Sequence, residues 1–306
     1  MKAYIISYFG KGKNTQAMRQ GYHSIQLNSL IKNPDIDEIV VLAQLYNDKI
    51  DKGIMVSRPR DYLCAVDPKV RYIHTTKLLK PGPARNVLID EFNKTSDEWA
   101  LFLDNDAIFD PRWHGGEVVG IIERNAKSLA DKMSVISVLS PRHWAYTGFL
   151  EDNAKILVDY LILQKYNYIK TTMFFLRNDT LRGEQPIYFD DQLESLEDYD
   201  YVPRLLAAGR AIYMTMSAVI SDLAVDEAAS TLFEDGVRTQ QFDEIKDIIF
   251  DRYEKYGAIR VGGKIRWERM CDNRNLTKMY YVPKDGTGVT NSANPNYHNL
   301  FEETLY

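Results

Sequence analysis

The stretch WALFLDND, residues 99–106, decides the fold that this sequence predicts. Five consecutive apolar residues followed by an acidic turn indicate a fully buried strand, which presents Asp104 at the edge of a sheet. Further apolar, β-rich runs lie at residues 3–9, 38–42, 70–74 and 134–139, with helical periodicity between them at 16–31, 82–92 and 117–130. This alternation predicts an α/β fold with a mainly parallel sheet covered by helices on both faces.

The rest of the chain predicts a second part of the molecule. Strands are indicated at residues 171–176 and 211–220, and a helix at 200–208 that Gly209 ends. The sequence then continues as a helical stretch and a tail that contains Gly, Asn and Pro. We therefore predict a core of residues 1–225 and a C-terminal appendage, helical and irregular, of residues 226–306.

The composition excludes several classes of protein. Of 306 residues, 45% are hydrophobic and 26% are charged, as expected for a globular protein with a sizeable core. The net charge of −5 argues against a surface that is positive throughout. Cys64 and Cys271 are too few for a disulfide framework or a zinc site, which favours a reducing cytoplasm. Without an evident signal peptide or membrane span, we predict a soluble cytoplasmic protein with no membrane partner.

Two carboxylates, one residue apart, follow the central strand. Asp104 and Asp106 would lie at the carboxyl edge of the sheet, where folds of this kind bind ligands. Such a pair can hold a hard divalent cation that also binds a diphosphate and neutralises the charge on a departing nucleoside diphosphate. The same Asp-X-Asp pattern is common in turns that need only a capping side chain, so alone it leaves both interpretations open.

Two further motifs accompany the acidic turn in the sequence. GPARN at residues 82–86 begins a helix, and EDYD at 197–200 is followed by RLL at 204–206 and by Gly209. In this order and at these spacings, the motifs resemble those of the GT-A glycosyltransferases, especially the broad family-2-like group, over residues 3–220. The resemblance implies the GT-A (Rossmann-like) fold, a nucleotide-sugar donor such as a UDP-sugar, and Mn²⁺ or Mg²⁺ as cofactor.

The resemblance also implies roles for residues around the donor. Asp106 would ligate the metal ion, and Asp104 would ligate it as well or contact the ribose or the sugar ring. Arg85 would lie near the sugar-diphosphate. Tyr8 and Phe9, at the end of the first strand, would border the nucleoside.

On the acceptor side, the resemblance implies a general base. Asp198 would take the proton of the acceptor hydroxyl in an inverting transfer, with Glu197 as its neighbour. The alternative is an acidic cluster that the helix dipole favours at an N-terminus. Asp200 and Arg204 are predicted to form an i,i+4 pair at the surface. His298 would be the late histidine that many GT-A enzymes supply to the metal, or else a solvated histidine of the tail.

Residues 252–278 form a basic segment in an acidic chain. They include eight Lys or Arg against three Asp or Glu, a local balance of +5 where the whole chain has −5. Cations interleaved with aromatic rings suit phosphates and unstacked bases, so Lys264, Arg266, Trp267 and Arg269 are candidate acceptor contacts. The segment resembles bacteriophage and TET-associated glycosyltransferases that act on hydroxymethylated bases in DNA, which implies a DNA acceptor and, for a phage protein, the host cytoplasm. A helix with a solvated basic face is the alternative.

Other functions remain open on the sequence alone. A glycan or a protein in place of DNA would fit the same donor site. A nucleotidyltransferase that makes nucleotide-sugars would share the sheet and the metal carboxylates, but GKGKN at residues 10–14 is a poor match to the Gly-rich signature expected after its first strand. A non-catalytic nucleotide-sugar-binding protein would not need the acidic residues at 104, 106, 197 and 198.

Overall fold

One mixed sheet, with ten strands among the described residues, forms the centre of the computed structural model. The structure describes residues 1–8, 13–44, 67–75, 79–112, 116–130, 133–139, 155–159, 161–166, 169, 171–178, 187–193, 196–207 and 210–223, and six residues between 244 and 251. In chain order, its elements are β1 (Lys2–Tyr8), α1 (Lys13–Ile31), β2 (Glu38–Gln44), β3 (Val70–Thr75), α2 (Pro81–Asn93), β4 (Trp99–Asp104), β5 (Ala107–Phe109), α3 (Val118–Arg124), α4 (Ala126–Ala130), β6 (Val135–Leu139), β7 (Lys155–Val158), β8 (Leu161–Tyr166), β9 (Met173–Arg177), α5 (Glu197–Ala207) and β10 (Ile212–Asp222).

The N-terminal half of the sheet is parallel, as predicted. Its strands lie in the order β3, β2, β1, β4, and each neighbouring pair is parallel. Ile6 of β1 lies beside Leu42 of β2 on one side and Asp104 of β4 on the other. The carboxyl ends of these strands therefore reach the same edge, where Tyr8 and Asp104 end their strands.

Helices cover both faces of this sheet. One face packs against α1 and α3, and the other packs against α2 and α5. Neighbouring residues of β1 show the alternation, since Ile5 belongs to the first core and Tyr4 to the second. On the second face, Tyr4 stacks on Phe102 with 5.1 Å between ring centroids. Burial on both faces is the reason why the strands are continuous apolar runs, and the predicted α/β class is confirmed.

The other half of the sheet is more antiparallel than we predicted. β9 lies between β4 and β6 and is antiparallel to both, whereas β10 is parallel to β6. The hairpin of β7 and β8 continues the sheet in antiparallel fashion beyond β10. Strand direction follows from how the chain connects the strands, and a buried apolar run has the same pattern in either direction.

Three of the four predicted helices differ from the structure by a displaced start or a break, whereas α2 extends one residue beyond each predicted bound. α1 begins at Lys13 rather than at residue 16. The helix predicted at 117–130 is divided into α3 and α4 at Asn125, whose side-chain amide donates to the carbonyl oxygen of Ile121 at 2.9 Å. α5 begins at Glu197, so the EDYD motif forms its first turn. Within the described ranges, every helix is too short or too polar to cross a membrane.

Most of the predicted appendage, residues 226–306, lies outside the described residues. Between 244 and 251 the structure describes six positions, and all six are helical. Ile245 and Ile249 in this stretch are buried. The division of the chain into residues 1–225 and 226–306 therefore stays a prediction.

Candidate active site

The acidic turn after β4 is held by side chains from other elements. Gln26 of α1 donates from Nε2 to the carbonyl oxygens of Asp104 and Ala107, at 2.6 Å each. Asn105 is buried, and its side-chain amide donates to the carbonyl oxygen of Tyr8 at 3.4 Å. These bonds tie the turn to α1 and to the end of β1. The middle residue of the motif is therefore part of the support for the turn.

The two carboxylates of the turn are partly open to solvent. The side chain of Asp104 is 35% exposed and that of Asp106 is 17% exposed. The strand residues before them, from Trp99 to Leu103, are buried. The turn at the end of β4 thus places two acidic side chains at the carboxyl edge of the sheet.

Arg85 of α2 joins the three sequence motifs. Its Nη2 donates to Asp104 Oδ1 at 2.9 Å and to the carbonyl oxygen of Thr171 at 3.3 Å, and its Nη1 donates to Glu197 Oε1. The side chain is only 4% exposed, and the guanidinium lies over the ring of Phe189, 5.5 Å from its centroid. Residues from three separate motifs are therefore in direct contact.

The charges around Arg85 compensate for its burial. Burial by itself lowers the pKa of Arg85, but the carboxylates of Asp104, Glu197 and Asp198 raise that pKa, and the net result lies above the ordinary value. A guanidinium that stays charged therefore lies between Asp104 and Glu197. Because its donors are directed at protein groups, Arg85 braces two of the predicted site residues.

The GPARN motif packs closely against the loop that precedes α5. The side chain of Asn86 donates to the carbonyl oxygen of Phe189 at 2.8 Å and accepts from the Phe189 amide at 2.9 Å. A Cβ at Gly82 would lie 3.1 Å from the carbonyl oxygen of Asp190 and 3.6 Å from the Cβ of Glu197. Close packing thus accounts for the glycine and the asparagine of the motif, and it brings α2 to the start of α5.

The two adjacent acidic residues at the start of α5 have different surroundings. Glu197 is 6% exposed and paired with Arg85, whereas Asp198 is only half-buried. Leu196, just before them, has a φ of 57°, a left-handed conformation that costs roughly 1–2 kcal/mol for a residue with a Cβ. Such strained residues cluster at functional sites. Asp198 is therefore the more accessible carboxylate, and it begins a helix at a strained position.

Asp200 and Arg204 are not the surface pair that we predicted. Their i,i+4 contact is present, with 2.6 Å between Arg204 Nη2 and Asp200 Oδ2, but Asp200 is completely buried. Arg204 also donates to the carbonyl oxygen of Tyr188. The pair therefore anchors α5 to the loop before it. The spacing predicted the contact, but the packing of α5 onto the sheet decided which side of the helix is buried.

A second arginine at the site was missed from the sequence. Arg19 of α1 is buried, and its Nη1 donates to Asp106 Oδ2 at 2.7 Å and to Asn105 Oδ1 at 3.4 Å. It is the only Lys, Arg, Asp or Glu between residues 14 and 31. A helix packed on the sheet buries such a side chain only with a counter-ion, so this lone charge was the available signal.

His23, one turn after Arg19, adds no charge to the site near neutral pH. Burial lowers the pKa of His23 to about 4, against the opposing effect of a hydrogen bond with Gln26. The imidazole is therefore neutral at pH 7. Among the described side chains of α1, Arg19 alone brings a charge to the acidic turn.

The acidic turn fits a hard divalent cation. Carboxylate oxygens are the ligands that Mg²⁺ and Mn²⁺ prefer. The candidate site as a whole has a formal charge of −2, from the carboxylates of Asp104, Asp106, Glu197 and Asp198 and the guanidiniums of Arg19 and Arg85. The described residues contain no group of three or more His, Cys, Asp or Glu that could hold a metal. Two protein carboxylates plus substrate phosphates are nevertheless a usual ligand set for Mg²⁺.

The remaining predicted site residues are only partly covered by the structure. Tyr8 ends β1 at the carboxyl edge, where its carbonyl oxygen accepts the bond from Asn105. Six other predicted contacts lie outside the described residues: Phe9, His298, Lys264, Arg266, Trp267 and Arg269. Their roles at the donor, the metal and the acceptor stay predictions.

Comparisons with known proteins find similarity only among solved structures. No protein-family model matches the chain, and no curated protein matches it in sequence. The chain is similar to GalNAc-T7 with UDP, GalNAc and Mn²⁺, at 12% identity and a TM-score of 0.49, covering 84% of this chain and 49% of that one. It is also similar to S. aureus TarS 1–349, at 17% identity and a TM-score of 0.42 over 90% of this chain and 79% of that one.

A third similar structure is TarS 1–349 in complex with UDP-GlcNAc, at 14% identity and a TM-score of 0.44 over 99% of this chain and 88% of that one. The chain spans about half, 49%, of the length of the GalNAc-T7 chain. Similarity of this degree does not decide what the chain does.

Proposed function

We propose that this chain is a nucleotide-sugar glycosyltransferase that uses Mn²⁺ or Mg²⁺ and transfers a sugar, from a UDP-sugar in the first instance, to a hydroxyl acceptor. The observation that supports this most directly is the contact of Arg85 with both Asp104 and Glu197. These partners lie 19 and 112 residues away along the chain. The three motifs that resemble the GT-A pattern therefore belong to one site at the carboxyl edge of the sheet.

In this proposal, the acidic turn is the donor half of the site. Asp104 and Asp106 hold the cation, which when bound stabilises the negative charge that develops on the nucleoside diphosphate. Gln26 keeps the turn in shape through the carbonyl oxygens of Asp104 and Ala107. Arg85 keeps the carboxylate of Asp104 in place. Held groups of this kind need no rearrangement when charge develops, which is how a preformed site lowers a barrier.

Asp198 is the acceptor half of the site. It takes the proton of the acceptor hydroxyl as the oxygen bonds to the anomeric carbon, and the nucleoside diphosphate leaves with the electron pair of the broken bond. Glu197 is less suited to this work because Arg85 already occupies its carboxylate and burial restricts access to it. The half-buried position of Asp198 at the start of α5 supports this division of roles.

The test is release of nucleoside diphosphate from a panel of nucleotide-sugars, with Mn²⁺, Mg²⁺ or EDTA, alone and with hydroxymethylated DNA, glycan and peptide acceptors. We expect at least one nucleotide-sugar to release its nucleoside diphosphate slowly by hydrolysis when no acceptor is present. Release should be faster, by transfer of the sugar, when a suitable acceptor is present. Both reactions should require the metal. A chain that binds UDP in calorimetry but turns nothing over would be a binding protein. Pyrophosphate release from UTP and a sugar phosphate would instead indicate a nucleotidyltransferase.

For the acceptor, we propose hydroxymethylated bases in DNA. The supporting observation is the balance of +5 in residues 252–278 within a chain of −5. A base must leave the duplex to reach an enclosed site, and aromatic residues next to cations suit an unstacked base. The cytoplasm, that of the host for a phage protein, is the location that this acceptor and two isolated cysteines favour.

Neutralising the basic segment tests the acceptor. Replacing Lys264, Arg266 and Arg269 together by glutamine should weaken binding to DNA of any sequence. It should also reduce the slope of log affinity against log salt by about one unit for each phosphate that the protein no longer neutralises. Donor hydrolysis without acceptor should be unchanged. The measurement is titration of labelled duplex and single-stranded DNA at several salt concentrations.

A matched control replaces three exposed lysines outside the basic segment, Lys32, Lys94 and Lys127, by glutamine. This triple variant has the same net charge as the first one, so it separates a local effect from a general one. Equal weakening of DNA binding in the two variants would mean non-specific attraction. If the unsubstituted chain binds no DNA at low salt, DNA is excluded as the acceptor, and a glycan or a protein takes its place in the proposal.

A further inference from the structure

Arg19 occupies the carboxylate that the proposed function assigns to the metal ion. Its Nη1 lies 2.7 Å from Asp106 Oδ2, and both side chains are largely buried. A positive charge this close repels a divalent cation, and the repulsion is strong where little water screens it. The ion pair and the metal therefore compete for the same carboxylate.

The backbone of the turn is held mainly by groups other than Arg19, whose further contact with the turn is a 3.4 Å bond to Asn105 Oδ1. Gln26 bonds the carbonyl oxygens on either side of the turn, and Asn105 anchors its middle to the end of β1. Neither contact involves a charged group. These bonds would therefore remain if Arg19 moved away from Asp106. This argues that the charge of Arg19, rather than its bond, is what affects the site.

The other arginine of the site provides a contrast. Arg85 is fixed between Asp104, Glu197 and the carbonyl oxygen of Thr171, so moving it would leave a buried glutamate unpaired. Asp106 is less buried than Glu197 and can be hydrated or take another cation when Arg19 withdraws. Of the two guanidiniums, Arg19 is therefore the one whose displacement leaves the less buried carboxylate behind.

On the proposed function, in which Asp106 ligates the cation, we propose that Arg19 is an internal counter-ion that competes with the divalent metal for Asp106. It keeps the metal affinity of the donor-free site low. The diphosphate of a donor brings negative charge that attracts both the metal and the displaced guanidinium, so metal and donor bind together. Arg19 thus acts through Asp106 and couples the binding of the metal to the binding of the donor.

The first test measures Mn²⁺ binding by electron paramagnetic resonance, with no nucleotide present. Arg19→Gln removes the charge and keeps an amide donor, and it should bind Mn²⁺ about tenfold or more tightly than the unsubstituted chain. Arg19→Lys keeps the charge and should stay within about threefold of the unsubstituted chain. Combining Arg19→Gln with Asp106→Asn should abolish the gain, because the ligand that was released is then missing.

The opposite result is equally informative. If Arg19→Gln binds Mn²⁺ no more tightly, or more weakly, than the unsubstituted chain, Arg19 does not compete and the inference is wrong. Transfer activity in the panel assay would then leave the proposed function standing. If neither chain binds Mn²⁺, even with UDP, the cation site is refuted, and the metal-dependent mechanism fails together with this inference.

A second measurement is made on the unsubstituted chain and uses Arg19→Lys only to assign a signal. Arginine side-chain nitrogen signals are followed by NMR while Mg²⁺, which is diamagnetic, is titrated into the unsubstituted chain. We expect the Arg19 signal, assigned with Arg19→Lys, to shift with the backbone amides of Asp104 and Asp106, and the Arg85 signal to shift less. An Arg19 signal that stays constant while those amides saturate would contradict displacement.

Discussion

Asp198→Asn should lower the turnover of transfer by roughly 10²–10⁴ while donor affinity stays close to that of the unsubstituted chain. The substitution removes the proton acceptor but keeps the size of the side chain, and Asp198 is half-buried in the first turn of α5. The reduction falls on turnover because the base acts on the acceptor hydroxyl as the new bond forms. The measurement combines steady-state transfer, using the acceptor found in the panel, with calorimetric binding of UDP.

Glu197→Gln provides the contrast for this experiment. Glu197 is buried and paired with Arg85, so its neutralisation should lower the melting temperature as well as the activity. Asp198→Asn should leave the melting temperature nearly unchanged. Full turnover in Asp198→Asn would place the base elsewhere. Asp191, which accepts a bond from Asn86 at 2.7 Å, would be the next candidate, unless the transfer retains configuration and needs no such base.

Asp106→Asn should reduce metal-dependent transfer by more than about 10²-fold at limiting Mn²⁺. The substitution removes one hard anionic ligand and with it part of the stabilisation of the leaving diphosphate. The chain should stay folded with a lower melting temperature, because the buried Arg19 loses its carboxylate and keeps an asparagine oxygen as acceptor. Transfer is measured as a function of Mn²⁺ concentration, together with thermal unfolding.

Asp90→Asn is the matched control for Asp106→Asn. Asp90 is an exposed carboxylate of α2 that accepts a bond from the Tyr188 hydroxyl at 3.0 Å, away from the acidic turn. Its neutralisation makes the same change in net charge and should leave transfer at its normal rate. Equal activity of the Asp106→Asn chain and the control at limiting Mn²⁺ would show that Asp106 is not a metal ligand.

The parts of the site that depend on local sequence were predictable. WALFLDND predicts a buried strand that ends at a surface, because burying five consecutive apolar residues is favourable and burying two unpaired aspartates is not. The parallel order of the first strands follows from the alternation of strands and helices along the chain. Gly82 and Asn86 marked a helix start in the sequence, and the structure adds the close approach to Phe189 and Asp190 that makes them necessary.

The sequence by itself therefore determined the α/β class, the position of the acidic turn and the two other motifs that accompany it. The tertiary structure alone decided that β9 runs antiparallel, that Asp200 is buried, and that Arg19 pairs with Asp106. The reason is physical. Hydrophobic patterns and turn preferences act between residues a few positions apart, but Arg19 lies 87 residues from Asp106. Such partners are selected by the packing of α1 onto the sheet, where a buried guanidinium is stable only beside a carboxylate.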